Sequence, residues 1–431
     1  MRNIKKMHSI LITVILCLIL ASCNNGPTDQ GSVELHTPPE VLIEAESYND
    51  SEGMFQEHSN GNDQIMVHSE TEGWLAFDVD IPVAGRYRSQ IRVRSASDSN
   101  SVFWIEDYYD NKDDRTYNIT GIIPCENDDA DSMFILYVDG TPLNAGLHKM
   151  KLHIGSGKME VDWIKFTLLR PHMPTPKIMT QNTSGDEWKV VWSDEFEGTG
   201  LPDTTKWLFD IGNWGWGNFE LQYYTDRRPE NARLENGCLV IEAHKNDMGH
   251  PWTSARLTTR SKVSFLYGKI EFRAKVPPKR GNWAAGWTLG DEYVDELSWP
   301  YCGEIDILES VGYEMDDESG HGKAHASIHC GAYYFKLNNQ PTSTIDVENM
   351  KDEFHTYAVE WYPGEIRAYV DGQHYLSYND ASSELSWPFD KPQNIILNLA
   401  MGGGWGGAMG MDESMTSQKF IIDYVRVYEL R

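Results

Sequence analysis

Residues Gly303 to Ser310 read GEIDILES and hold three carboxylates within six positions: Glu304, Asp306 and Glu309. Side chains of this type, crowded this tightly, can do nucleophilic and acid–base work. Cleavage of a glycosidic bond with retention needs two carboxyl groups about 5–5.5 Å apart, one the nucleophile and one the acid/base. Their pKa values must differ, so that one is ionised while the other holds a proton. A third carboxyl between them can hydrogen-bond the nucleophile and tune that difference. The competing reading is a solvated charged strand, and the spacing alone leaves both open.

The element that carries them can be read from its period. On a helix, at about 100° per residue, the three acids fall near 0°, 200° and 140° and no apolar face forms. On a regular strand Glu304 and Asp306 share one face and Ile305 and Ile307 the other, but Leu308 and Glu309 land on the wrong sides. One extra residue near Ile307–Leu308, a β-bulge, corrects both at once. The bulge puts the three acids on one face and the three aliphatics in the core.

The rest of the chain also reads as β. WLAFDVDI, RYRSQIRVRS, GKIEFRAKV, HTYAVEWY and FIIDYVRVYEL alternate apolar and polar residues between turns rich in Gly, Asn, Asp and Pro. With 431 residues, two cores are expected. RPHMPTPKIMTQNTSGDE, Arg170 to Glu187, has three prolines and no apolar period, as a linker would. The expected organisation is an all-β protein with a sandwich over residues 38–170, a linker at 171–187 and a second sandwich over 188–431. A formal charge of −28 argues against nucleic acid as a partner and suits a neutral polymer.

The first residues predict export. Arg2, Lys5 and Lys6 precede an apolar run, Ile10 to Leu20, too short to span a bilayer comfortably, and the run ends in Ala21-Ser22-Cys23. This sequence resembles a bacterial lipobox. It implies removal of residues 1–22, lipid on the Cys23 thiol, a tether at 23–37, and a monomer held to a membrane by its anchor alone; an ordinary secretory signal is the plainer alternative. No C-x-x-C occurs, so a structural zinc site is not expected. His321, His325 and His329 recur every four residues, but Gly320 and Gly322 break the helix that spacing needs and H-E-x-x-H is absent, so no catalytic metal is expected.

WPYCGEIDILES strongly resembles the active-site strand of glycoside hydrolase family 16. VVWSDEFEG, NWGWGNFELQYYT, NWAAGWTLG, HASIHCGAYY, LNLAMGGGWGG and IDYVRVYEL follow the family pattern in order. The resemblance covers residues 188–431 and implies a β-jelly roll of the concanavalin A-like kind with a sugar cleft. It assigns Glu304 as nucleophile, Asp306 as assisting acid and Glu309 as acid/base. The bulged motif is similar to laminarinase-like, agarase-like and carrageenase-like members, and the flanking segments look most like bacterial laminarinases acting within β-1,3-glucan. Mixed-linkage glucan, a red-algal galactan, or binding without turnover are the alternatives. NWAAGWTLG departs from the laminarinase pattern, which has Pro-Ala before an aromatic.

By the same resemblance Trp214, Asn218, Arg256, Trp283, Trp287, Trp299, His329 and Trp405 would contact sugar; Trp216 sits in the same segments, and a buried Trp is as often core as platform. The family's structural calcium implies Glu195, Gly237 and Asp423 as ligands, the first two through carbonyl oxygens. Cys302 and Cys330, each beside a cleft residue, would meet in a disulfide if their strands form a hairpin. IEAESY, VAGRYRSQIRVRS and GLHKMKLHIGSGKMEVDWIKF resemble a family 6 carbohydrate-binding module, which implies a second calcium near Glu44, Glu46 and Asp162. Trp74, Trp104, Tyr108 and Tyr109 would offer it stacking faces, but the Asn usual before the last strand is missing.

Overall fold

The computed structural model describes residues 38–60, 63–68, 72–95, 101–108, 116–125 and 132–431. The expected signal segment, the tether, Cys23 and Tyr109 lie outside them. Among the described residues the chain forms four β-sheets and three single-turn 3-10 helices. Residues 40–171 build two six-stranded sheets, and residues 178–430 build one sheet of nine strands and one of ten.

Alternation sets the faces. In Gly268–Lys275 the side chains of Ile270, Phe272 and Ala274 are buried, while Lys269, Glu271, Arg273 and Lys275 are less so. This half-buried rhythm belongs to an antiparallel sheet with one face on the core. Several strands of the catalytic sandwich break it, because the face away from the core is buried as well, as in the two that follow. Gln393–Met401 is buried at every position, and Glu304–Val311 at every position but the first. They lie in the nine-stranded sheet, which runs Gln393–Met401, Asn282–Gly290, Glu304–Val311, Gly322–His329, Thr342–Val347 across its middle and edge. One face packs on the ten-stranded sheet through Ile305, Ile307, Leu308, Leu397, Phe272, Tyr357 and Val425. Each such side chain contributes about 1.5–3 kcal/mol on burial. The other face lines a cleft.

The segment expected to be a free linker is tied down. Ile178–Thr180 adds a parallel strand to Ser264–Leu266, the Leu430 N–H donates to the Asn182 carbonyl, and Glu187 and Arg431 exchange backbone hydrogen bonds. Main-chain pairing holds it, and three residues of strand leave no alternation to read.

The two sandwiches meet over a continuous core. The apolar cluster of the first, with Leu75, Phe77, Tyr87 and Phe166, runs on into Trp214, Trp216, Tyr224 and Leu297 of the second. The Asp139 N–H donates to Asn213 Oδ1 and the Asn213 N–H donates to the Asp139 carbonyl, each at 3.0 Å. Two glycines let these backbones touch. A Cβ on Gly140 would lie 2.0 Å from the Ile211 carbonyl oxygen, and one on Gly212 would lie 2.0 Å from that of Asp139. Both have φ in the left-handed range, +88° and +134°. Arg86 is buried between the rings of Trp216 and Tyr293, with its guanidinium 5.8 and 5.6 Å from their centroids. Burial alone would raise the Asp210 carboxyl nearby, but the Arg260, Arg86 and Arg256 guanidiniums hold it well below the usual range.

Candidate active site

The cleft has a volume of about 600 Å³ and is lined by all three acids of the GEIDILES strand. Their common face comes from a bulge. Toward Gly322–His329, Glu304 pairs with His329 and Asp306 with Ser327, and the register then shifts so that Glu309 pairs with His325. Toward Asn282–Gly290, Trp287 pairs with Asp306 and Gly286 with Leu308. Ile307 is the extra residue, and Ile305, Ile307 and Leu308 all point into the core. The cost of crowding three acids is visible in their titration. Burial, then the charge of Asp306, pushes Glu304 up to about 8, against the pull of His329 and the Trp299 N–H. Burial pushes Asp306 up to about 8, against a hydrogen bond with Glu304. Burial, with Asp306 and Glu304 adding to it, holds Glu309 well above the carboxylate range. A retaining mechanism needs one of the outer carboxyls ionised while the other holds its proton.

An indole N–H fixes each outer carboxyl. Trp299 Nε1 donates to Glu304 Oε2 at 2.9 Å, and Trp283 Nε1 donates to Glu309 Oε1 at 3.1 Å. His329 Nε2 lies 3.3 Å from Asp306 Oδ2 and 3.9 Å from Glu304 Oε1. Donor atoms of Glu304, Asp306 and His329 fall within 4.8 Å of one another, the one group of three or more His, Cys, Asp or Glu side chains gathered so closely among the described residues.

Asn218, Arg256, Trp287 and Trp405 also line the cleft. Trp287 Nε1 donates to Asn398 Oδ1 at 2.8 Å, and the Arg256 guanidinium sits 4.8 Å from the Trp287 ring and 4.9 Å from that of Trp216. Trp405 meets Trp283 edge-on at 5.3 Å. Trp214 does not reach the cleft. It is 1% exposed and packs with Trp216 and Tyr117 in the core shared by the two sandwiches. Its neighbour Trp216, two positions on, takes the cleft instead.

The expected disulfide does not form, and all four described cysteines are free. Cys330 follows His329 in the strand and so turns into the main core, 3.9 Å from the Tyr378 hydroxyl. Cys302 packs on the cleft side with Leu289, Tyr293 and Ile396. The two thiols point to opposite faces of the sheet.

Several cleft residues carried no signal that was read from the sequence. Glu220 is one; burial, offset in part by hydrogen bonds from Gln222 and Asn218, pushes it up to about 7. The period-2 run Asn218, Glu220, Gln222 would have found it. Asn398, Tyr293 and Glu296 line the same space, as does Tyr117 from the first sandwich.

The two calcium ligand sets differ in fit. Glu46 Oε2 is buried without a hydrogen-bond partner, and burial, with Glu57 and Asp162 adding negative field, raises its carboxyl. An orphaned carboxylate oxygen of this kind is the donor a hard cation takes. Asp162 itself pairs with Arg92. In the second sandwich Asp423 accepts from Arg273 at 2.7 Å, and the Glu195 carboxylate is held by Arg426. The one charged ligand of that set is thus already neutralised.

A sheet face bearing an ionisable pair of carboxyls in an aromatic-walled cleft marks a hydrolase of sugar polymers. Residues 219–426 match the model of glycosyl hydrolases family 16. A beta-glucanase of Rhodothermus marinus is 45% identical over 249 residues, spanning 56% of this chain and 85% of that protein. The laminarinase structure from Rhodothermus marinus aligns with a TM-score of 0.53 at 44% identity, over 56% of this chain and 98% of that one. The laminarinase catalytic domain from Thermotoga maritima aligns with a TM-score of 0.51 at 40% identity, over 57% and 100%. The chain belongs to glycosyl hydrolase family 16 and is a glycoside hydrolase with an all-β jelly-roll catalytic domain.

Proposed function

We propose that this enzyme cleaves β-1,3-glucan of the laminarin type within the chain, with retention at the anomeric carbon. The observation that carries the reading is the bulge-aligned trio Glu304, Asp306 and Glu309, with an indole N–H on each outer carboxyl. Ionised Glu304 attacks the anomeric carbon while Glu309 gives its proton to the departing oxygen. The glycosyl–Glu304 ester is then opened by water, whose proton returns to Glu309. Asp306 hydrogen-bonds Glu304, and the Trp299 N–H favours its anion. The names of the related beta-glucanase and laminarinases support the substrate. Calcium on the first sandwich, near Glu44, Glu46 and Asp162, would be a structural ion of that sandwich, with the orphaned Glu46 Oε2 as its supporting observation. Lipid on Cys23 keeps the enzyme at a bacterial membrane.

One assay tests the reading: reducing ends released from laminarin, lichenan, agarose and carrageenan by washed membranes and soluble fractions of expressing cells. Laminarin cleaved fastest, with activity in the membranes that moves to the soluble fraction on Cys23→Ser, is the expected result. A preference for agarose or carrageenan would remove the β-glucan assignment, and soluble wild-type activity would remove the anchor.

A further inference from the structure

We propose that Tyr117 contacts the bound glycan, so that the first sandwich supplies part of the active-site wall and helps set which products are released. Tyr117 lies on the short strand Thr116–Asn118, yet it lines the same cleft as Glu304, Asp306 and Glu309. It bridges two loops of the catalytic sandwich. On one side a Cβ on Gly217 would lie 2.3 Å from the Tyr117 hydroxyl oxygen, so the ring rests against bare backbone. On the other, the Lys336 ammonium is 4.9 Å from the Tyr117 ring and 5.7 Å from that of Trp299, whose N–H holds Glu304. One cation thus separates Tyr117 from the indole that orients the nucleophile.

The hydroxyl is the second observation. Tyr117 is 6% exposed, and its oxygen lies beside the Glu296 carboxyl without a well-directed hydrogen bond. A buried polar group left so costs about 1–3 kcal/mol, and a phenylalanine would avoid that cost. A sugar hydroxyl entering the cleft would supply the missing partner. The placement is rigid rather than incidental, because the paired Asp139–Asn213 bonds and the Gly140–Gly212 contact fix one sandwich on the other.

The inference rests on the glycan-cleaving class and not on the linkage. Should laminarin fail as substrate, the same measurement is made on whichever polymer of the panel the full-length enzyme cleaves fastest. Tyr117→Phe keeps the ring and removes the hydroxyl. Loss of one neutral hydrogen bond to the glycan predicts KM raised about 2–10-fold with kcat within about twofold, while relief of the unpartnered hydroxyl predicts a melting temperature at or above that of wild type. Tyr117→Ala removes the wall as well and should lengthen the distribution of released oligosaccharides. Wild-type KM and wild-type product lengths in Tyr117→Phe and Tyr117→Ala would overturn the proposal. So would a Tyr117→Phe variant that loses melting temperature and kcat together, since that marks a packing role alone.

Discussion

Glu309 is buried beside two other acids, and its ionisation couples to folding. In the unfolded chain a glutamate ionises near pH 4.3. In the folded protein burial and two neighbouring acids hold the proton on well above that. Below about pH 4 both states are protonated and Glu309 is neutral to stability. As the pH rises past 4.3, the unfolded chain alone gains by ionising, so stability falls progressively toward the folded pKa. Glu309→Gln keeps an acceptor for the Trp283 N–H and removes the ionisation. Its melting temperature should match wild type near pH 4 and exceed it at pH 8. An offset that stays constant across that range would count against the coupling. At this scale the sequence was clear about type and unclear about place. The acids, Trp283, Trp287, Trp299 and Trp405 line the cleft, but Trp214 and Trp216 carry the same local pattern and only one of them does. Which indole turns outward is decided by the other sandwich, far away in sequence.

The bulge is where element and chemistry meet, and it makes opposite predictions for a residue removed and a residue added. Deleting Ile307 restores plain alternation, with Glu304, Asp306 and Glu309 still on the cleft face and both neighbouring registers preserved. The loss is one buried aliphatic, about 1–4 kcal/mol of stability, and the protein should still turn over. Adding an Ala between Leu308 and Glu309 drives the acid/base into the core, and kcat should fall by about 10²–10⁴-fold. Equal activities in the two variants, assayed on the same polymer, would sink this account. The bulge was legible because a period of two, once broken, marks its own defect. The strand Ile178–Thr180 was not, since its pairing uses main-chain atoms that every residue has. Nor was the separation of Cys302 from Cys330, because it depends on which face each strand presents.

Across the whole molecule, the two sandwiches share apolar core and a buried charge network, so they should not melt independently. Trp214, Trp216 and Leu297 would be uncovered if the first sandwich unfolded alone, and Asp210 would lose the field of Arg86. Calorimetry of the full chain should give one transition, raised by calcium in wild type but not in Glu46→Gln. Two well-resolved transitions would argue for sandwiches that merely sit side by side. Two sandwiches were legible from the pattern of strands and punctuation; their union was not, because contacts between distant segments leave no local period.

The touching backbones at Gly140 and Gly212 also limit how such a protein can be recombined. A fusion partner spliced in place of the first sandwich would arrive with side chains at the seam, where either Cβ meets a carbonyl oxygen at 2.0 Å. Shuffling at this joint therefore succeeds only when both glycines travel together with the surfaces they join.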